Sequence, residues 1–537
     1  MSQTTFRPRM SAATALDAML GRLTMYRLVL LVLAVLAAYS LLLDALGWLT
    51  FGIPQLLAHL ALCVGLTYAS NRALAALFRV QPHSESSLIT GLLLYFLFWP
   101  AQFGQAFAGV ELAGIELAGV ALACVLASAS KYALAWRGRH VFNPAAAGAF
   151  ITGLTGLNIA TWWAGTPAML WLLVPAVLLV LYRTRKMLMA AVFTVVATSI
   201  VAAGLLQSGV DPGGALWQPL AQSPIIFFVG FMLTEPLTLP PRRWQQLALA
   251  AVVGLLFASP FNLGFVANSP ELALLVGNLV AFLAGQRGSV RLLFRHSRRL
   301  TPTTTEFVFE PRRRLRHAPG QYLELDLPHA KPDGKGRRRV FSLTSHPDSR
   351  HVKIGVGTAE PVSAAKQKLL ALKPGDELTA TTVGGDFVLP RRSKSPVLLI
   401  AAGIGITPYL AHLSDGSAGP RDTVLLYLAR NASELAYSDE LKQSGARVIA
   451  RLADGSTPPD FIEDAAAGVE NSGAAGIEAA AAAPMARLDG PALLRLVPDI
   501  ARRTVFISGS PASVGSLRRA ARQAGARRIR VDSFAGY

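Results

Sequence analysis

Ten apolar stretches follow one another through the first half of this chain and leave it few ways to fold. They run 27–48, 52–70, 87–107, 113–130, 142–157, 166–182, 187–206, 223–239, 244–260 and 269–286. Each is long enough, or nearly so, to cross ~30 Å of hydrocarbon as a helix. The charges between them test the count. Alternate gaps carry Arg7, Arg9, Arg22 and Arg27; then Arg72 and Arg79; then Lys131, Arg137 and Arg139; then Arg183, Arg185 and Lys186; then Arg242 and Arg243; then Arg287 onward. The remaining gaps and segment ends hold Asp44, Glu111, Glu116, Asp211 and Glu271, with no Lys or Arg. By the positive-inside rule the first set faces the cytoplasm. Nine or eleven crossings would break this alternation. The expectation is a multi-pass protein of the cell (inner) membrane, in contact with lipid, with both termini cytoplasmic. The opening 25 residues are polar and basic, and the apolar run after them is too long for the core of a cleavable leader.

Composition agrees. Hydrophobic residues make up 52% and charged residues 15%, where a soluble domain carries roughly a quarter charged. The net charge of +19 sits in membrane-topology positions rather than in a nucleic-acid patch, so no nucleic-acid partner is expected. The two cysteines, Cys63 and Cys124, cannot supply the roughly four thiolates of an iron–sulfur cluster. They lie in separate apolar segments, so they read as small buried hydrophobes rather than a disulfide. Haem across a membrane needs paired axial histidines on facing helices. Only His59 lies well inside a segment, and His140 lies in the loop before the fifth helix, so the histidines suit haem badly. No metal site is expected.

Ten segments can also be five plus five, an inverted repeat. Ser86 to Pro100 and Ser223 to Pro236 would then be equivalent third helices, each running from a serine to a proline. After Arg287 the texture changes. Arg291, Arg295, Arg298 and Arg299 suit anionic headgroups. Alternating runs at Tyr322–Leu327 and His351–Val356 predict a small antiparallel barrel. From Pro396, continuous apolar strands (PVLLIAA, TVLLYLA, ARVIARL, TVFISG) predict a parallel α/β domain. An Ala-rich insertion covers 464–484. The expected domains are a cytoplasmic segment 1–25, a transmembrane domain 26–287, an antiparallel β-barrel 288–394 and an α/β domain 395–537.

Three motifs in the second half follow in order. Arg339-Val340-Phe341-Ser342 lies after the Pro319-Gly320-Gln321-Tyr322 turn. Its arginine fork suits a diphosphate, its aromatic a planar ring, and its hydroxyl a ring nitrogen. Ala402-Gly403-Ile404-Gly405-Ile406-Thr407-Pro408 follows the strand PVLLIA. Its glycines would let backbone approach a phosphate at a helix N-terminus. Ile507-Ser508-Gly509-Ser510-Pro511 follows a further strand, and the chain ends Val531-Asp532-Ser533-Phe534-Ala535-Gly536-Tyr537. In parallel sheets, ligands sit where such turns lie.

These motifs resemble those of the ferredoxin–NADP⁺ reductase superfamily, which has an RxYS-type flavin motif, a GxGxTP nicotinamide motif, and a CGP motif with a terminal ExF. The resemblance implies FAD on the barrel, with Arg339 on its pyrophosphate, Phe341 against the isoalloxazine and Ser342 near N5. Ser363, in PVSAAKQKLL, would open the helix that meets the FAD phosphate. NAD(P)H would meet Gly403, Gly405, Thr407, Pro408, Gly509 and Pro511. Two positions depart from the family: Ser508 stands for its cysteine and Asp532 for its glutamate. With Ser342 they are the expected catalytic positions. Arg430, in YLARNASELAYSDEL, reads as a surface arginine and leaves NADH against NADPH open.

In the membrane half, Ser86-Ser87-Leu88-Ile89-Thr90-Gly91-Leu92-Leu93-Leu94, Arg139-His140-Val141-Phe142-Asn143-Pro144-Ala145-Ala146 and Thr234-Glu235-Pro236-Leu237-Thr238 resemble stretches of two related membrane flavoproteins. These are the flavin-bearing integral membrane components of the Rnf complex and of the sodium-pumping NADH:quinone reductase (Nqr). This likeness covers residues 25–286 and implies FMN or riboflavin in the membrane. Asn143-Pro144 would start a helix whose amides meet an anion. Glu235 is a carboxylate inside a membrane segment, a costly placement that points to function. The family's SGAT-like flavinylation sequence is missing. Ala164-Gly165-Thr166-Pro167 is the nearest stretch, which makes Thr166 the candidate for a phosphoester-linked flavin or else a plain helix cap.

Together these readings predict a transmembrane oxidoreductase. Electrons would pass from NAD(P)H through FAD to a membrane flavin or quinone and on to an extracytoplasmic carrier. The rivals are a haem-type ferric reductase, a channel or transporter whose tail senses redox state, and a membrane part that only docks partners.

Overall fold

The computed structural model describes residues 24–534 apart from 81, 83, 102–105, 108–109, 137–138, 265, 286–288, 330–336, 391–394, 415–420 and 466–487. The Ala-rich insertion expected over 464–484 lies almost wholly outside the described residues, as do residues 1–23 and the final Tyr537. The chain divides into two compact units, at Leu23–Gly288 and Ser289–Tyr537.

The first unit is helical. Its helices are α1 (Met25–Ala45), α2 (Ile53–Leu77), α3 (Ser84–Leu97), α4 (Leu112–Ala133), α5 (Pro144–Leu154), α6 (Pro167–Thr184), α7 (Met187–Gln207), α8 (Pro212–Ala221), α9 (Ile225–Phe228), α10 (Arg243–Ala258) and α11 (Pro270–Leu283). Polar caps set several starts. Thr24 accepts from Arg27 N at 3.0 Å, Asp211 from Gly214 N at 3.0 Å and Ser269 from Leu272 N at 3.2 Å. Each satisfies an amide that the first turn leaves unpaired.

Among the described residues, five helices are long and apolar enough to cross a membrane: α1, α2, α4, α6 and α7. A sixth is added if α8 and the run Ile225–Leu233, bent by 43°, count as one span. The helices α3, α5, α10 and α11 are shorter. A 14-residue helix reaches only ~21 Å, less than the hydrocarbon thickness of ~30 Å. Length and composition therefore carry five or six crossings of the ten expected. The two serine-to-proline stretches also differ in form. The first is the straight helix α3, and the second is α9 followed by a π-helical turn, Val229–Leu233.

Small residues bring these helices together, as they do where no hydrophobic force acts between helices in lipid. A Cβ on Gly148 of α5 would stand 2.5 Å from the Ala123 carbonyl of α4, and one on Gly91 of α3 would stand 2.8 Å from the Cys63 carbonyl of α2. Leu31, Val35, Leu42, Trp171 and Leu283 point outward, an apolar surface that suits lipid and would be a liability in water.

The second unit holds two sheets. The first has six strands, β1 (Val290–Thr301), β2 (Thr304–Pro311), β3 (Tyr322–Asp326), β4 (Arg338–Ser342), β5 (Val352–Gly357) and β6 (Glu377–Gly384). They are antiparallel in the order β4-β3-β6-β1-β2-β5. An isolated bridge, Leu343 to Ile354, connects the two edges of that order. The helix α12 (Ala364–Leu370) lies between β5 and β6 in sequence. Inward alternation gives an apolar core around Phe294, Phe307, Phe309, Leu323, Leu325 and Ile354.

The second sheet is parallel. It comprises β7 (Val397–Ala402), β8 (Thr423–Ala429), β9 (Arg447–Leu452), β10 (Glu463–Asp464), β11 (Thr504–Gly509) and β12 (Arg528–Ser533), in the order β10-β9-β8-β7-β11-β12. Helices α13 (Thr407–Leu413), α14 (Ser438–Gln443), α15 (Gly490–Leu496) and α16 (Pro511–Gln523) connect these strands. Apolar cores flank both faces, which is why the strands read as continuous hydrophobic runs. Strand order reverses between β7 and β11, and ligands bind at the carboxyl ends of strands at such a switch point.

Candidate functional site

The carboxyl end of β7 runs straight into the glycine turn. Gly403 takes φ +54°, a left-handed conformation that costs a residue with a Cβ. The turn Gly403–Ile406 then leads into α13, with Thr407 first and Pro408 within its first turn. Thr407 Oγ1 donates to the Ile404 carbonyl at 3.0 Å. A Cβ on Gly405 would stand 2.3 Å from the Ser508 carbonyl oxygen and 2.9 Å from Gly509 N, and one on Gly509 would stand 2.9 Å from Ala402 Cβ. The second and third motifs are therefore two halves of one tight seam.

Strand register completes that seam. Ser508 pairs with Ala401 on one side and with Asp532 on the other. Ser508 is fully buried, and its Oγ has no hydrogen-bond partner among the described residues. Asp532 is half-buried. Burial pushes the Tyr409 hydroxyl well up, and the neighbouring Asp532 charge adds to it. Ser510 caps α16, accepting from Ser513 N at 3.2 Å, and Pro511 opens the helix. Arg430 follows β8 and is exposed.

The antiparallel sheet presents the first motif beside this seam. In β4, Arg339 pairs with Leu325, Phe341 with Leu323 and Ser342 with Tyr322. All three are buried. Arg339 Nη1 donates to the Arg338 carbonyl at 2.9 Å, and Phe341 packs in the apolar core of the sheet. Ser363 stands at the start of α12 without capping it, and its Oγ is buried with no partner among the described residues.

One glycine brings the two sheets together. A Cβ on Gly355 of β5 would stand 2.8 Å from Thr407 Cγ2 and 2.4 Å from the Tyr437 hydroxyl. Its neighbour Ile354 bridges Leu343, the residue after Ser342. Ser342 and Thr407 are thus linked through a short relay of backbone contacts. Around it, the buried Glu306 is faced by Arg298 at 3.5 Å and Lys353 at 3.9 Å, and Arg298 also pairs with Glu440 at 2.7 Å. Burial raises the Glu306 carboxyl above its ordinary range despite those cations.

The C-terminal half resembles flavohemoproteins. It is 35% identical over 169 residues to the flavohemoprotein of Deinococcus radiodurans, a match covering 29% of this chain and 41% of that one. It is 32% identical over 166 residues to the flavohemoprotein of Pseudomonas aeruginosa, covering 30% and 41%. The heme-dependent oxidative N-demethylase beta subunit of Ectopseudomonas mendocina is 35% identical over 150 residues, covering 27% of this chain and 46% of that one. The chain thus spans less than half the length of these curated relatives. Among solved structures, a ferredoxin NADP⁺ reductase from Neisseria gonorrhoeae aligns over 46% of this chain and 99% of its own, at 17% identity and a TM-score of 0.36. The flavohem-like FAD/NAD binding domain of nitric oxide dioxygenase from Vibrio cholerae aligns over the same shares at 20% identity and a TM-score of 0.35. No family model matches the chain.

In the helical unit, the three membrane motifs meet around one pocket. Its walls include Tyr26, Ser86, Thr90, Asn143, Thr234 and Glu235, around about 580 Å³ of empty space counting its open mouth. Glu235 lies between the π-helical turn and the 3₁₀ turn Pro236–Thr238. Such irregular backbone is tolerated at membrane depth where it lines a cavity, and π turns mark functional sites often.

Asn143 organises the wall. It caps α5 by accepting from Ala146 N at 3.1 Å, its Nδ2 donates to Glu235 Oε2 at 2.9 Å, and its backbone N donates to Asn278 Oδ1 at 2.7 Å. The group beside this helix start is therefore the chain's own Glu235 carboxyl, held by the Asn143 side chain. Arg139 Nε donates to the Leu237 carbonyl at 2.8 Å. Lys131 Nζ donates to Ser86 O and Oγ at 3.1 and 3.2 Å.

His140 corrects its reading as a plain loop residue. It lies on a short hairpin strand, and its Nε2 meets Glu235 Oε1 at 3.1 Å. Nothing local announces this, because 95 residues separate the partners. Thr166 is placed elsewhere. It stands at the N-terminal end of α6 without capping it, and its Oγ1 is buried and unpartnered among the described residues. Val180 and Thr184, near the other end of α6, line the pocket, so Thr166 is ~20 Å away along the helix. The cysteines also surprise. Both are free and buried, yet their separate helices bring them together, with Cys124 Sγ donating to the Cys63 carbonyl at 3.8 Å.

Proposed function

We propose that this protein is a membrane-bound flavin oxidoreductase. The C-terminal half is an NAD(P)H-dependent FAD oxidoreductase module, and the helical pocket holds a second electron carrier, a flavin or a quinone. The observation that carries the reading is the seam at Gly405. The second and third motifs meet there, and Thr407 beside it packs on Gly355 of the sheet that carries Ser342.

FAD, when bound, accepts a hydride and releases it as single electrons. The residues present fit it. Ser363 Oγ is a buried hydroxyl still owed a hydrogen bond, as a phosphate would supply. The Arg339 guanidinium would neutralise the pyrophosphate, Phe341 would offer its ring to the flavin ring, and Ser342 would supply a hydroxyl to a ring nitrogen. On the nicotinamide side, Gly403 leaves backbone open to a phosphate, while Gly405 admits the Ser508 carbonyl. Thr407, Pro408, Gly509 and Pro511 shape the helix starts beside it. Ser508 and Asp532 would face the nicotinamide, and Ser508 Oγ again has an unmet hydrogen bond among the described residues.

The membrane reading extends this. The basic gaps of the first unit all fall on one side of the charge alternation. The pocket residues Ser86, Asn143, Thr184 and Glu235 lie close to those gaps in sequence. Ten crossings, five of them short or broken, would put the pocket on the cytoplasmic side. Anionic lipid would then meet the arginines of β1.

The flavin inventory of the purified full chain tests the reading. One noncovalent FAD per chain, bleached by NADH or NADPH, is expected, together with either a second flavin or the reduction of a short-chain quinone. FAD alone, with no quinone reduced, would leave the helical half without an electron-transfer role. Thr166→Val should leave total flavin fluorescence in a denaturing gel unchanged, because Thr166 stands apart from the pocket.

A further inference from the structure

We propose that His140 and Glu235 are the proton entry of the helical pocket. This rests on the reading of that pocket as the site of a quinonoid ring, whether flavin or quinone. Full reduction of such a ring takes up two electrons and two protons. The electrons come from the reduced FAD of the C-terminal half, which releases its own protons there, so the pocket must draw its protons from elsewhere.

The lining offers few donors. Its titratable side chains are Glu235 and Tyr26, and a phenol with an ordinary pKa of about 10 is a poor acid at neutral pH. Glu235 is held from both sides, with Oε2 on Asn143 Nδ2 at 2.9 Å and Oε1 on His140 Nε2 at 3.1 Å. The side chains of His140 and Glu235 are 13% and 18% exposed, and Glu235 lines the pocket. Imidazole changes charge near physiological pH and suits a shuttle.

The step balances. Protonated His140 passes the Nε2 proton to Glu235 Oε1, Glu235 releases a proton into the pocket, and His140 takes another from bulk water. Two such passes accompany two electrons. The other charges near the pair are Lys131, held on Ser86, Arg139, held on the Leu237 carbonyl, and the Arg27–Glu85 ion pair at 2.9 Å. Lys131 acts electrostatically on Glu235 but directs its hydrogen bonds to Ser86 rather than to the carboxyl.

The test uses the full chain in lipid nanodiscs, with NADH as reductant and decylubiquinone as acceptor. The wild-type rate of quinone reduction should depend on pH and should slow in D₂O. Glu235→Gln should lose at least tenfold and both dependences. His140→Gln should lose the pH dependence, and Glu235→Asp should restore it at a reduced rate. Reduced-minus-oxidised infrared spectra give a readout apart from turnover, namely a carboxyl band that vanishes in Glu235→Gln. If the pocket holds a flavin instead, the pH slope of that flavin's midpoint potential should flatten in the same two variants. Variants that keep the wild-type pH profile, isotope effect and infrared band would overturn the proposal. A wild type with neither a second flavin nor quinone reduction would overturn it too. That failure is told apart because it removes the pocket reading for every variant alike.

Discussion

Ser508 shows how function and stability pull apart at a single residue. Its buried hydroxyl has no partner among the described residues, and such a group costs ~1–3 kcal/mol. Ser508→Ala should therefore raise the unfolding midpoint of the C-terminal half by a few degrees, by calorimetry. The same change should lower kcat/KM for NAD(P)H roughly tenfold or more if the hydroxyl meets the nicotinamide. A variant neither more stable nor slower would remove Ser508 from the site.

Glu306 makes a separate prediction, with its sign set by burial. Its carboxyl is raised in the folded state, so the fold holds that proton more tightly than the unfolded chain does. The stability this contributes is present at acid pH and is lost as pH rises through the raised value. Glu306→Gln should flatten that part of the stability curve, with Arg298, Lys353, Glu440 and Tyr437 left in place. Thermal midpoints between pH 4 and 8 check it, and parallel curves for the two proteins would refute it. Residue identity made Ser508 and Asp532 legible as departures from a pattern. It did not reveal that they pair in register, nor that Glu306 is buried, because both depend on which strands become neighbours.

Among the elements, the glycine turns are the sharpest constraint. Gly405→Ala would drive a methyl into the Ser508 carbonyl, and overpacking of this kind costs ~1–3 kcal/mol. The expected outcome is a raised KM for NAD(P)H with FAD content unchanged, since α12 and β4 are untouched. Loss of FAD as well would mean that the two sheets cannot move apart independently. The strand–turn–helix units were legible because period-two and continuous apolar runs differ, and because glycine punctuates them. The pocket was legible only as three separate motifs. What joins them is a hairpin that carries His140 back to Glu235 and a helix cap that reaches across to it. Sequence spacing contains neither. Helices such as α5 end short of the apolar runs that predict them, because apolarity alone does not say where a helix stops.

At the scale of the molecule, topology is the claim to test. Both native cysteines are buried, so introduced thiols can be read over a low background. Ser208→Cys should react with an impermeant maleimide from outside spheroplasts, and Ser433→Cys only from the cytoplasmic side of inverted vesicles. Labelling of both from one side would end the ten-crossing arrangement.

The pocket lies at the basic ends of its helices, and the proposed proton entry opens at the same end. A charge carried across the whole membrane exchanges ~2.3 kcal/mol with every 100 mV of potential. In the proposed ten-crossing arrangement, a circuit that took electrons and protons from a single face would sample only a shallow part of that field. Its turnover would be neither driven nor throttled by membrane voltage, and a valinomycin-imposed potential should leave the rate of quinone reduction where it was.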